Sequence, residues 1–188
     1  DENPKYIAVV LDTKAKTFRH KQYNLYKANR KPMPDELSEQ LLPLYSILES
    51  LNMKIYKKDG YEADDIIGTI TKRVLKKDLT TYMYSADKDL MQLINSNTYL
   101  YTPGNSFKPI KIYKDEDVFV KCGVGATQFI DYLALLGDTS DNIPGVRGVG
   151  NKTASKLINK FSSVENIYKL INQIENPRLK NILLENQE

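Results

Sequence analysis

Eight acidic residues recur in short clusters along this chain: Asp12, then Glu62, Asp64 and Asp65, then Asp87 and Asp89, then Asp138 and Asp141. Clustered carboxylates repel one another and raise one another's pKa unless a cation lies among them. Oxygen-only ligands suit Mg²⁺ or Mn²⁺ and not Zn²⁺. Two such ions can hydrolyse a phosphodiester by activating water and stabilising an in-line transition state. Each residue also has a plainer reading, because acidic residues cap helix N-termini and complement the helix dipole. Asp64-Asp65 resists that reading, since a cap does not call for an adjacent like-charged pair. On the residues alone, metal binding and capping both stand.

Two other stretches have the chemistry of a polyanion partner. Residues 13–34 hold Lys14, Lys16, Arg19, Lys21, Lys27, Arg30 and Lys31 with no acidic residue, interleaved with Phe18, Tyr23 and Tyr26. Cations can pair with phosphates and rings can stack on bases; a solvated basic face is the simpler alternative. Asn142-Ile-Pro-Gly-Val-Arg-Gly-Val-Gly-Asn-Lys-Thr-Ala154 joins two expected helices. Gly145, Gly148 and Gly150 allow positive φ and close backbone approach. The next helix offers N-terminal amides for a phosphate, with Lys152 and Lys156 on one face. This is a helix-hairpin-helix pattern, suited to a sequence-independent grip on a nucleic-acid backbone; the plainer alternative is a glycine-rich helix connector, which does not need three glycines and two lysines at these spacings.

The elements that must position these residues follow from periodicity. The apolar run 6–11 ends in Asp12 and reads as a buried strand. Asp35 opens a helix with apolar residues at 37, 41, 44, 47, 48 and 51, in which Pro43 is expected to introduce a kink. Lys54–Tyr56 and Thr80–Tyr84 read as strands, and a helix carrying Ile66, Ile67, Ile70, Val74 and Leu75 lies between them. Tyr99–Tyr101 and Ile110–Tyr113 read as a hairpin or as two edge strands around Pro103-Gly104. Alternating strands and helices imply an α/β domain with a mainly parallel sheet. From about residue 115 the pattern is helical: 115–122, 127–136, 151–160, 163–172 and 177–185. The expected division is residues 1–120, α/β, and 121–188, helical. In open α/β sheets, sites form outside the carboxyl ends of strands. Three strand ends are therefore expected to bring Asp12, Glu62, Asp64, Asp65, Asp87 and Asp89 to one rim, with Asp138 and Asp141 in reach.

Composition narrows the alternatives. The chain has 188 residues and a net charge of +3, from 27 Lys+Arg and 24 Asp+Glu. One cysteine, Cys122, rules out an internal disulfide framework and a Cys-rich zinc site. One histidine rules out a His-rich metal site, and a Ser-His-Asp triad would need His20, which sits between Arg19 and Lys21. No apolar run approaches the ~18–20 residues of a membrane span. The start, Asp1-Glu-Asn-Pro-Lys5, has no secretory pattern, so the expectation is intracellular and reducing, with no membrane partner.

At this point the residues resemble the 5′-nuclease domain of bacterial DNA polymerase I, within the flap endonuclease and phage 5′-exonuclease superfamily. Val9-Val-Leu-Asp12 with Lys16-Thr-Phe-Arg19 is similar to its second acidic motif, and Tyr26-Lys-Ala-Asn-Arg-Lys-Pro-Met-Pro34 to its arch. Gly60-Tyr-Glu-Ala-Asp-Asp-Ile-Ile-Gly68, Ser85-Ala-Asp-Lys-Asp-Leu90 and Leu136-Gly-Asp-Thr-Ser-Asp-Asn-Ile-Pro-Gly145 resemble the rest of its acidic set. The resemblance covers nearly the whole chain.

It implies a PIN-like fold followed by a helix-three-turn-helix, and a cluster holding two Mg²⁺ or Mn²⁺ ions on all eight carboxylates. It implies that Tyr26, Lys27 and Arg30 engage the substrate, Lys27 and Arg30 at the scissile phosphate. Arg19, Gly145, Gly148, Gly150, Lys152 and Lys156 would contact DNA, and the hairpin 143–150 grips duplex DNA in this family, often through a bound K⁺. The implied activity is removal of nucleotides from 5′ ends and cutting of 5′ flaps in DNA, including RNA primers, during replication and repair. The implied partners are such DNA ends and a linked or separate DNA polymerase, with the protein itself a monomer. A bacterial cytoplasm or a DNA-bearing organelle fits. The family pattern begins with a further strand ending in Asp-Gly, about sixty residues before the Asp12 motif, so that strand, one ligand and part of the arch base are expected to be absent here. A catalytically inactive DNA-binding scaffold and a PIN-like ribonuclease are the alternatives. The eight carboxylates argue against the first and the glycine hairpin against the second.

Overall fold

A computed structural model describes residues 3–77, 79–104, 106, 107 and 109–187. The chain divides into two compact units, Asp1–Ile70 and Thr71–Glu188. In the first, β1 (Ala8–Val10) pairs in parallel with β2 (Lys54–Tyr56), with Val9 opposite Ile55. Between them lie α1 (Phe18–Gln22), α2 (Asp35–Glu39) and α3 (Leu41–Ser50). Then α4 (Ala63–Leu75) begins and runs on into the second unit.

The expected buried strand over 6–11 is shorter and more open. Only 8–10 are strand, and Tyr6 and Ile7 are exposed. A two-stranded pair cannot bury both of its faces. The expected kink at Pro43 appears as a one-residue interruption three residues earlier, at Gln40, whose own backbone stays in the helical region. Proline clashes with the carbonyl four residues before it, here that of Glu39, and donates no N–H. Restarting the helix at Leu41 places Pro43 in a first turn, where neither defect matters.

The second unit opens with β3 (Thr81–Tyr84) parallel to β4 (Thr98–Thr102), and β5 (Lys111–Tyr113) antiparallel to β4 with Tyr101 opposite Ile112. The expected hairpin is therefore present. A 3₁₀ turn, Lys88–Leu93, connects β3 to β4. Next come α5 (Asp115–Cys122), α6 (Phe129–Leu136), the short antiparallel pair β6 (Gly137–Asp138) and β7 (Ile143–Pro144), then α7 (Asn151–Phe161), α8 (Val164–Lys169) and α9 (Pro177–Glu185). The fold is α/β passing into a helical region.

The apolar core lies in the second unit, where Leu90, Met91, Leu100, Val118, Val124, Phe129, Leu135, Ile158, Ile167 and Leu183 are buried. The first unit is built differently. Leu42, Leu44, Ile47 and Leu51 of the α3 region are exposed, and its buried residues are Thr17, Tyr26 and Glu62. No single helix among the described residues is long and apolar enough to cross a membrane.

Candidate active site

The eight carboxylates fall four in each unit. In the first, Gly60 takes a left-handed turn (φ +84°) that ends the strand region and leads into α4. Asp12, just past β1, accepts a 2.7 Å bond from the Ala63 amide at the start of that helix. Asp65 accepts from the Glu62 amide at 2.9 Å and bidentately from Arg19 at 2.8 Å on each oxygen. The hydrogen bonds from Arg19 hold the Asp65 carboxyl below the usual carboxylate range, against a smaller opposing effect of burial. Glu62, buried, accepts from the Tyr26 hydroxyl at 2.9 Å and from Lys27 Nζ at 2.6 Å. Asp64 is half-buried in the first turn of α4.

Several expected contacts thus have other occupants. Tyr26 is buried, so its ring is not presented to a base in this arrangement. The Arg19 guanidinium lies on Asp65. Lys27 and Arg30 lie outside any helix. Lys27 sits at φ +56° in a series of turns, and the Arg30 amide donates to the Lys27 carbonyl at 3.0 Å. Left-handed backbone is unfavourable for a lysine, and the side chain of this one reaches Glu62.

The second unit brings carboxylates together. Asp87 caps the 3₁₀ turn through a 2.8 Å bond from the Asp89 amide. Asp138 Oδ1 collects donors from its own tight turn: the Ser140 amide (2.7 Å), the Ser140 hydroxyl and the Asp141 amide (3.2 Å). Burial pushes the Asp138 carboxyl up, but these donors and Lys88 leave it below its ordinary value. Lys88 Nζ lies 3.3 Å from Asp138 Oδ2 as an ion pair without hydrogen-bond geometry. Asp89 is pushed up to about 6, first by burial and then by the charges of Asp87 and Asp138, with Asp141 adding and Lys88 opposing. Sequence reasoning missed Lys88 and Ser140. The available signals were a lysine between two aspartates and a serine two residues after an aspartate, the spacing of a local turn bond.

Two buried oxygens, Asp89 Oδ1 and Asp138 Oδ2, have no hydrogen-bond partner among the described residues. A buried anionic oxygen left unmatched is costly, and a hard divalent cation is the ligand that offsets it. Among the described residues no three acidic, His or Cys side chains converge into a ready-made cage. It is through those two oxygens that the second unit's residues fit a divalent ion.

A stability consequence follows from Asp89. Its raised pKa means the folded state holds a proton that the unfolded chain releases, so this group's penalty is absent below about pH 4 and complete above about pH 6. Asp89→Asn is expected to raise the melting temperature by about 2–4 °C near pH 7.5 in metal-free buffer and to change it little near pH 4. A pH-independent shift in thermal melts would contradict the repulsion.

The hairpin's three glycines have three different settings. A Cβ at Gly145 would lie 2.1 Å from the Leu136 carbonyl carbon, because its backbone packs directly on the end of α6. Gly148 has φ +89°. Gly150 has an ordinary φ of −100° and open space where a Cβ would stand, and it starts α7 without a side-chain cap. Lys152 and Lys156 are exposed on α7. Gly145 is thus required by packing within the chain. Gly145→Ala is expected to cost about 1–3 kcal/mol in denaturant melts, as overpacking does; an unchanged midpoint would contradict this.

Family profiles described as "5'-3' exonuclease, N-terminal resolvase-like domain" and "5'-3' exonuclease, C-terminal SAM fold" match residues 1–123 and 124–188. A 5'-3' exonuclease of Buchnera aphidicola subsp. Acyrthosiphon pisum is 42% identical over 180 residues, 96% of this chain and 62% of that protein. DNA polymerase I of Bacillus subtilis is 40% identical over 98% of this chain, which spans 21% of the polymerase. Among solved structures, the T5 D15 protein co-crystallised with metal ions has a TM-score of 0.82 at 26% identity, covering 98% of this chain and 72% of that one. T5 5'-exonuclease with bound divalent zinc ions has a TM-score of 0.78 at 26% identity, covering 95% and 69%.

Proposed function

The chain belongs to the 5′-3′ exonuclease family, and we propose that it is the nuclease part of a protein that hydrolyses phosphodiester bonds at 5′ ends and 5′ flaps of DNA with divalent metal ions. The observation that carries this reading is the pair of buried oxygens without a hydrogen-bond donor, Asp89 Oδ1 and Asp138 Oδ2, the second facing only the Lys88 ammonium, beside Asp87 and Asp141. These four residues hold the ions, two Mg²⁺ or Mn²⁺, in this reading. A bound divalent ion supplies an activated water and positive charge for the phosphoryl group. Asp138 Oδ1 is fixed by its turn, which aims Oδ2 without cost at the moment of reaction. Lys27, whose ammonium rests on Glu62 in the absence of substrate, and Arg30 supply positive charge for the scissile phosphate in this reading.

Residues 121–188 supply the duplex grip in this reading. The α7 amides at Gly150 and the cations Lys152 and Lys156 meet backbone phosphates, and hairpin 143–150 is the candidate K⁺ site. Lys152→Ala and Lys156→Ala are expected to weaken duplex binding uniformly across sequences and to reduce the salt slope by about one each. A changed sequence preference at an unchanged slope, in fluorescence anisotropy titrations, would contradict a phosphate grip. The partner polymerase is part of the same reading, either linked in one chain or separate.

Incubating the natural gene product with a 3′-labelled 5′-flap duplex and Mg²⁺ tests the function. The reading expects loss of the flap and stepwise shortening from the 5′ end. Tight binding without cleavage in Mg²⁺ or Mn²⁺ would favour an inactive scaffold, and cleavage confined to RNA would favour a ribonuclease.

A further inference from the structure

Both oxygens of Asp65 are engaged within the chain. Arg19 donates to both of its oxygens at 2.8 Å, and the Glu62 amide adds a third bond at 2.9 Å. A bidentate guanidinium–carboxylate pair fixes orientation as well as distance. Arg19 is on α1, and the neighbouring Phe18 amide bonds the Gly60 carbonyl at 3.1 Å, with its ring 5.9 Å from that of Tyr61. The 17–22 segment is therefore fastened to the start of α4 by backbone, ring and charge together. Glu62, whose amide Asp65 holds, carries Tyr26 and Lys27 on its own carboxylate. A continuous chain of contacts runs Arg19, Asp65, Glu62, Lys27.

We propose that Arg19 and Asp65 are positioning residues: their pair holds α1 on the N-terminus of α4, keeps Glu62 in place to receive Lys27, and takes no part in binding metal. Lysine would not replace Arg19, because a single ammonium cannot span both oxygens of Asp65. The inference relies on the nuclease reading only for what Lys27 meets. The contacts themselves need no substrate, so a test without DNA separates the two.

The test is acetylation of lysines in the intact folded chain, read peptide by peptide by mass spectrometry. Arg19→Gln and Asp65→Asn should each raise the labelling rate of Lys27 about tenfold, as expected for freeing a charge-assisted contact. Lys152 should be unaffected, and the double variant should go no further than either single one. Arg19→Lys keeps the charge and the fold, and should still raise Lys27 labelling severalfold. Unchanged Lys27 labelling in Arg19→Lys would overturn the proposal, even if the other two variants unfold. Mn²⁺ binding, followed by the electron paramagnetic resonance of the free ion, should be the same in Asp65→Asn as in the parent and weakened in Asp87→Asn. Equal weakening in both would make Asp65 a ligand and overturn the proposal.

Discussion

Lys27→Ala is expected to lower single-turnover cleavage at saturating DNA by about 10²–10³-fold, the usual cost of removing one preorganised charge from a transition state. DNA affinity should fall far less, because the other basic residues of 13–34 remain. The contact with Glu62 adds a second expected effect. That carboxylate is buried and loses a 2.6 Å cation, leaving the Tyr26 hydroxyl and the Arg19 guanidinium at 3.8 Å. A stability loss of about 1–3 kcal/mol should accompany the change, so rates must be compared well below the melting temperature. Normal cleavage at saturation would make the basic segment a docking surface only.

Asp89→Asn should abolish cleavage, with a loss on the order of 10³-fold, while duplex binding persists in Ca²⁺. The same substitution is expected to stabilise the metal-free protein near pH 7.5. This opposition distinguishes a functional cluster from a structural one. A structural carboxylate loses stability when neutralised, whereas one held among like charges gains it. Destabilisation together with retained cleavage, measured on one preparation, would remove Asp89 from the metal set.

What the sequence revealed followed how local each determinant is. Helices 115–122 and 177–185 match α5 and α9 because their ends are written beside them: Lys114 with Asp117 at one, Asn176 and Pro177 at the other. The β4–β5 hairpin was legible for the same reason. The setting of Lys27 was not, because its side-chain partner Glu62 lies 35 residues away. Tyr26 and Arg19 read as substrate contacts from a basic, aromatic stretch, yet their partners Glu62 and Asp65 lie far along the chain. Gly145 was legible as a close backbone approach, but not that the neighbour is the end of α6. Proximity of Asp87, Asp89 and Asp138 was expected from strand ends that share one rim, whereas the turn through which Ser140 holds Asp138 Oδ1 was not foreseen.

The most direct test of the central claim is the single-turnover rate of 5′-flap cleavage by the natural gene product as Mg²⁺ is titrated from a chelated baseline. The account predicts no cleavage at the baseline and a steep rise at low Mg²⁺, approaching the second power of its concentration. Cleavage that persists in the chelator at an undiminished rate would contradict it.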